Sequence, residues 1–347
     1  MPDPFAALPV PLDTPPMEAK LVDALPDAPG WRFEPKWDGF RCLAFKSGGG
    51  VDLRAKSGKP LTRYFPDMAA VIAAMPQDRF VIDGELVIPV DGAFSFDALQ
   101  LRLHPAESRV RKLAAETPAV LVGFDCLMDP AGKSLLDQPL RTRRSALEAI
   151  AADAAHLPAL QLTPYTDDHA QACAWLAEAG AGALDGVVCK RIEERYRPGE
   201  RAMLKVKRQR TADCVVGGFR YGADSDFVGS LLLGLYDDNG LLNHVGFTSA
   251  IPAADKPGMT HTLQALAPGP GFTGRSPGGP SRWSTERTGE YVALRHELVV
   301  EVGFDHVTGD RMRHGARLVR FRPDKAPRQC TMEQIAPPKA LSQLGLG

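Results

Sequence analysis

FEPKWDGFRC, residues 33–42, sets Lys36 between a proline and a tryptophan and follows it with Asp38, Gly39 and Arg41. Three roles for Lys36 compete: a solvated surface lysine, half of a structural Lys36/Asp38 ion pair, or a lysine whose nitrogen does chemistry. Taken alone, the decapeptide favours the first two, because exposed lysines and weak surface pairs are the default. The rest of the chain has to decide.

The chain has 347 residues, too many for one small core, so two domains are expected. Hydrophobic residues at 44% and charged residues at 24% exclude a disordered or fibrous protein. Six cysteines, Cys42, Cys126, Cys173, Cys189, Cys214 and Cys330, form no C-x-x-C pair and no zinc spacing, which suits a reducing cytoplasmic setting. The opening MPDPFAALPVPLDTPP has neither the basic start nor the apolar core of a signal peptide, and no apolar run could span a bilayer. A soluble cytoplasmic protein without a membrane partner is the expectation. A net charge of -1 argues against a uniformly basic coat, yet cations crowd RMRHGARLVRFRPDKAPR, 311–328, which is a solvated basic face or an anion-binding one.

Apolar runs at FVIDGELVIPV (80–90), AVLVGFDCLM (119–128), LDGVVCK (184–190) and MLKVK (203–207) predict strands. Helical periodicity lies between them at 66–76, 142–155 and 167–180, the last closed by Gly180. Strands and helices mixed in this way predict an α+β domain over 1–208. After RQRTAD (208–213) the texture changes to short strands with glycine and asparagine turns, DDNG at 237–240 being the clearest hairpin signal. An all-β, barrel-like second domain over 209–347 follows, interrupted by the Pro/Gly-rich loop 267–283.

Several predicted strands carry charges where a buried strand should not. Asp83 and Glu85 alternate in VIDGELVI and so project to one face, which is unfavourable unless a cation answers them. Asp185 opens and Lys190 closes LDGVVCK, while Lys205 and Lys207 point the same way from MLKVK. Singly, each fits a local salt bridge. Together with Lys36 they suit a cleft for a polyphosphate and its metal, carboxylates for Mg²⁺ and lysines for phosphate oxygens. No P-loop and no G-x-G-x-x-G element is present. A lysine inside such a cleft has neighbouring cations and desolvation to disfavour its charged form, and a neutral amine is a nucleophile.

KWDG at 36–39 with Arg41 resembles motif I of the covalent nucleotidyltransferases, the superfamily of DNA ligases, RNA ligases and mRNA capping enzymes. DGEL (83–86), VGFDCL (122–127), DGVVCK (185–190), LKVK (204–207) and ARLVRFRPDK (316–325) resemble motifs III, IIIa, IV, V and VI in the family's order. The chain is most similar to small two-domain bacterial ATP-dependent DNA ligases and to the ligase module of bacterial end-joining proteins, on EPKWDGFR, DGVVCKR, GGPSRW, ELVVEVGFDHVTG and FRPDKAPRQC. The resemblance implies an N-terminal nucleotidyltransferase (ATP-grasp-like ligase) domain with antiparallel sheets and helices, followed by an OB-fold domain, a common nucleic-acid platform.

It also implies roles. Lys36 would be the adenylated nucleophile, with Asp38 orienting it or acting on protons and Gly39 letting the backbone approach the ligand. Glu34 would place the adenine and Phe124 stack on it. Arg41 and Arg54 would contact the nucleotide and the 5′-phosphate of a nick. Lys190, Lys205 and Lys207 would bind phosphates. Asp83, Glu85 and Asp185 would hold Mg²⁺ or Mn²⁺, Glu85 being alternatively a ribose contact and Asp185 standing where the family often has glutamate. Arg322, Asp324 and Lys325 would act on the pyrophosphate leaving group of ATP. A monomer acting on nicked double-stranded DNA, with repair proteins as further partners, is the expectation. An RNA ligase or capping-type enzyme, or a non-catalytic OB-type nucleic-acid binder, are the alternatives.

Overall fold

A computed structural model describes residues 3–90, 92–179, 184–208, 210–278, 290–305, 307–312 and 315–336. The chain divides into two compact units after Arg208, the second running from Gln209 to Pro337. Residues 279–283 of the glycine-rich loop, including most of GGPSRW, lie outside the described residues, as do Arg313 and His314 of the basic segment. Among the described residues no helix is long and apolar enough to cross a membrane.

The first unit is built on two large sheets, with a small two-stranded one, Pro89–Val90 with Ala93–Phe94, beside them in the sequence. One has five strands in the order Gly50–Ala55, Phe40–Ser47, Arg79–Val87, Val120–Met128 and Leu160–Leu162, antiparallel except for the last pair. The other orders Ala19–Leu21, Met203–Lys207, Leu184–Arg191 and Trp31–Trp37, with Ala19–Leu21 parallel to its neighbour. Trp31–Trp37 belongs to one sheet and Phe40–Ser47 to the other, so Asp38 and Gly39 form the step between them. The charged decapeptide is thus the crossing point of the fold. Gly39 is required there for a reason other than ligand approach: an added Cβ would lie 2.2 Å from the Leu86 carbonyl oxygen of the neighbouring strand. Gly186, at φ +151°, occupies the register shift between Leu184–Arg191 and Trp31–Trp37, and its Cβ would lie 2.1 Å from the Val206 oxygen.

Helices cover the five-stranded sheet. Leu140–Asp153 buries Leu147 and Ile150 in the core cluster that also holds Leu121 and Cys126, and Pro66–Ala74 adds Met68 and Ile72 to it. His169–Glu178 begins at Asp168, whose carboxylate accepts the Ala170 N–H, and places Trp175 against Trp31 and Phe33 in a separate cluster.

The second unit is a β domain of the OB type. Its sheet runs Leu242–Thr248, Val228–Tyr236, Arg210–Tyr221, Val299–Phe304, Arg317–Phe321, with Val292–Ala293 also pairing with Arg210–Tyr221. The hairpin at DDNG forms as the sequence indicates: Asp237 accepts N–H groups from Asn239 and Leu241. An α-helix, Lys256–Ala265, departs from the all-β expectation, burying Met259 and Leu263.

Candidate active site

A cavity in the first unit is lined by Glu34, Lys36, Arg41, Glu85, Phe124, Lys190 and Lys205, seven residues singled out in the sequence. They come from both sheets and meet because the Trp31–Trp37 strand hands over to Phe40–Ser47 at this point. Lys36 sits at the end of its strand, opposite Gly186. Its Nζ lies 2.5 Å from Asp185 Oδ2, and Lys207 reaches the same oxygen at 3.1 Å. Asp185 therefore answers two of the four lysines. Lys205 faces the cavity instead, and its pKa is lowered, first by burial and then by Lys36, Lys207 and Lys56.

Glu34 and Lys190 form a buried pair at 2.6 Å, each side chain 3% exposed. Lys190 also donates to the Phe124 carbonyl at 3.3 Å, so its first partners belong to the protein and its charge holds Glu34 in place. The other carboxylate oxygen of Glu34, Oε1, is buried and has no hydrogen-bond partner. An acceptor without a donor in a cavity wall is unfavourable until a ligand supplies one. Phe124 is flanked by cations, with Arg41 4.5 Å and Lys190 4.6 Å from its ring centroid.

Asp83, expected among the metal ligands, has another role. Both its oxygens meet Arg41, each at 2.6 Å, and Oδ2 also accepts the Tyr196 hydroxyl at 2.7 Å. Burial and then Asp83 raise the pKa of Tyr196 well above its ordinary value, so the hydroxyl keeps the proton it donates. The cation that answers Asp83 is an arginine, and three hydrogen bonds take up most of the carboxylate's acceptor capacity. Arg41 further donates to the Met17 carbonyl at 3.1 Å, which fixes the guanidinium in the cavity wall.

Glu85 accepts the Gly39 N–H through Oε1 at 3.2 Å. Burial pushes its pKa up to about 7 against the opposing pull of Lys36, Arg41 and that N–H. A carboxyl group whose folded value exceeds its unfolded value binds protons more tightly in the folded state, so its contribution is fully present below about 4.5 and is lost as pH rises through about 7. In metal-free buffer the stability of the wild type relative to Glu85→Gln should therefore fall across that window, by at most about 3 kcal/mol. Urea unfolding of both proteins at several pH values checks this; a difference constant with pH would contradict it.

Arg54, expected near the nucleotide, is instead held by Asp52, at 2.6 and 3.0 Å, and by the Gly58 carbonyl at 3.2 Å. The cation from this hairpin that lines the cavity is Lys56, paired with Glu18 at 3.0 Å. Met17, Glu18, Lys56 and Tyr196 were not legible as site residues. Asp38 lies in the step between sheets, and its charge raises the pKa of Glu85.

Arg322 and Lys325 belong to the second unit. Arg322 Nη1 lies 2.8 Å from Asp213 Oδ1 and Nη2 2.8 Å from Asp324, while Lys325 is 3.4 Å from Asp213. Gln334 clamps Asp213 from behind, accepting its backbone N–H and donating to its carbonyl, both at 2.9 Å. Among the described residues no group of three or more His, Cys, Asp or Glu is arranged to hold a metal.

Comparison with known proteins adds independent findings. Residues 16–207 match the family model described as ATP dependent DNA ligase domain, and residues 224–325 match ATP dependent DNA ligase C terminal region. The chain is 44% identical over 351 residues to DNA ligase C2 of Mycolicibacterium smegmatis, covering 96% of this chain and 98% of that protein. It is 41% identical over 350 residues to DNA ligase C of Mycobacterium tuberculosis, covering 96% and 97%. A solved structure from a structure-function study of Lig E DNA ligases aligns with a TM-score of 0.55 at 16% identity, over 88% of this chain and 100% of that one, a likeness of fold.

Proposed function

The chain belongs to the ATP-dependent DNA ligases, and we propose that Lys36 is the nucleophile through which it joins DNA strands. The observation that carries this is the placement of the Lys36 amine in the cavity wall, in contact with a buried carboxylate at 2.5 Å. In the first step the Nζ lone pair attacks the α-phosphorus of ATP. An N–P bond forms, the bond to the β-phosphate's bridging oxygen breaks, and pyrophosphate leaves. The amine must shed a proton, and Asp185 is an acceptor already in contact with it. The AMP then passes to the 5′-phosphate of a nick, and the 3′-hydroxyl displaces it to restore the phosphodiester.

The remaining wall residues divide the work of holding the nucleotide. Glu34 Oε1 offers an acceptor to the adenine amino group, and Phe124 an aromatic surface beside it. Lys205 and Lys56 bring positive charge to the phosphates. Glu85 and Asp185 are the carboxylates that suit a divalent ion, because Mg²⁺ is held by one or two carboxylates together with substrate phosphates, so no larger protein cluster is needed. Such an ion would supply charge neutralisation at the phosphoryl oxygens.

Arg322 and Lys325 act on the departing pyrophosphate, with Asp213 as the residue that positions both. Arg322→Ala should slow formation of the enzyme–AMP adduct on the order of 100-fold and spare closure of a nick already carrying a 5′-adenylate. Equal loss in both reactions would reject that division of labour. The acceptor is tested by chasing radiolabelled enzyme–AMP with a nicked DNA duplex or its all-RNA counterpart. Label appearing on the DNA 5′ end, followed by a sealed strand, is the expected result; transfer to RNA alone would make the protein an RNA ligase. The nicked duplex is the substrate assigned, and repair the process it serves.

A further inference from the structure

We infer that Tyr196 is a positioning residue for the capture of ATP: its hydroxyl holds Met17 and Asp83 in place, and through them sets which edge of the Arg41 guanidinium faces the cavity. This rests on the reading, proposed above, that the cavity takes ATP. Four groups from distant parts of the chain close a circuit of hydrogen bonds. The Tyr196 hydroxyl donates to Asp83 Oδ2 at 2.7 Å and accepts the Met17 N–H at 2.8 Å. Asp83 Oδ2 also accepts from Arg41 Nη2 at 2.6 Å, and the same Nη2 donates to the Met17 carbonyl at 3.1 Å. The hydroxyl itself is anchored from the framework side. The Tyr196 backbone N–H donates to the Leu136 carbonyl at 2.8 Å, and the centre of its ring lies 5.6 Å from the Arg143 guanidinium, which is paired in turn with Asp125 at 2.7 Å.

The circuit matters because Arg41 has a choice of partner. Glu85 stands directly opposite it in the strand register and lines the same cavity. Taking Asp83 commits Nε and both hydrogens of Nη2 to protein acceptors. Nη1 is then the edge of the fork that offers donors to a ligand, with the guanidinium carbon 4.5 Å from the centre of the Phe124 ring. Without the hydroxyl oxygen the buried Met17 N–H loses its acceptor and has to move to find another, which draws the Met17 carbonyl away from Nη2. Asp83 loses one of its three hydrogen bonds at the same time. The guanidinium is then free to turn toward Glu85, taking Nη1 away from the oxygens of a nucleotide lying along Phe124. Hydrogen bonds linked in a circuit reinforce one another, so the loss of one oxygen is felt by all four groups.

The test is the ATP dependence of single-turnover enzyme–AMP formation in full-length wild type, Tyr196→Phe, Arg41→Lys and the double variant. Tyr196→Phe keeps the aromatic ring and should raise the half-saturating ATP concentration about tenfold, the loss of one charge-assisted hydrogen bond, with a smaller change in the rate at saturating ATP. A purely structural role would lower the melting temperature and leave the half-saturating concentration where it is. Arg41→Lys keeps a positive charge beside Asp83 but not the fork, and in that background Tyr196→Phe should add less than about twofold, because the two changes act on one interaction. Tyr196→Phe matching wild type would overturn the inference, and so would the same loss persisting in full when Arg41 is already lysine. If Tyr196→Phe melts below the assay temperature, Arg41→Lys carries the test alone, and a half-saturating ATP concentration equal to that of wild type would overturn the inference. Wild type that forms no adduct at any ATP concentration would instead overturn the reading of the cavity on which the inference rests.

Discussion

Lys36→Ala is expected to lower joining of a nicked duplex from ATP by roughly 10⁴-fold or more, while a nick already carrying a 5′-adenylate is still closed. The split follows from the chemistry. The amine is needed to make and to hand over the N–P adduct, and the final attack of the 3′-hydroxyl does not use it. The fold should survive the change, because Asp185 keeps Lys207 at 3.1 Å and is not left as an uncompensated buried charge. Lys36→Arg should fail as completely as alanine, since a guanidinium keeps its proton and offers no lone pair. Loss of both reactions in Lys36→Ala would mean that the residue holds the DNA or the fold instead of forming the adduct; ligation from ATP at wild-type rate would exclude it as the nucleophile.

Asp185→Asn is the second large effect. The carboxylate side chain is 4% exposed and accepts from Lys36 and Lys207, so the amide removes the charge that Asp185 sets against these two ammonium groups and takes the proton acceptor from the reacting amine. Adduct formation should fall on the order of 100-fold, and stability by about 1–3 kcal/mol. Asp185→Glu keeps the charge on a side chain one methylene longer and should recover much of the adenylation. Single-turnover adduct formation and urea unfolding measure the two effects separately. Adenylation at the wild-type rate in Asp185→Asn would show that Asp185 is only a structural partner of the lysines.

The family, the α+β domain and the β domain that follows it were legible because charges standing in apolar strands are rare and their order along the chain is informative. Which partner each charge takes was not. Alternation places Asp83 and Glu85 on one side of their strand, but register sets Arg41 opposite Glu85 while its long side chain crosses diagonally to Asp83, and only the folded sheet decides between a direct and a diagonal pair. Arg54 and Lys56 stand two residues apart in the sequence; the turn between Ala55 and Lys59 sends Lys56 to the cavity and leaves Arg54 with Asp52. The parallel pairing of Ala19–Leu21 with Met203–Lys207, which brings Met17 and Glu18 to the cavity, joins segments far apart in the chain and leaves no local signal. The helix Lys256–Ala265 opens on Lys256-Pro257-Gly258, which reads as turn punctuation although proline suits the first helical turn.

Incubating the protein with ATP and divalent metal, digesting it, and locating the AMP adduct by mass spectrometry identifies the nucleophile. The adduct should lie on the peptide that contains Lys36, and should disappear when the protein is treated with pyrophosphate before digestion, because adenylation is reversible. An adduct on another lysine of the cavity wall, Lys56, Lys190 or Lys205, or no adduct from protein that does seal nicked DNA, would contradict the assignment of Lys36 as the nucleophile.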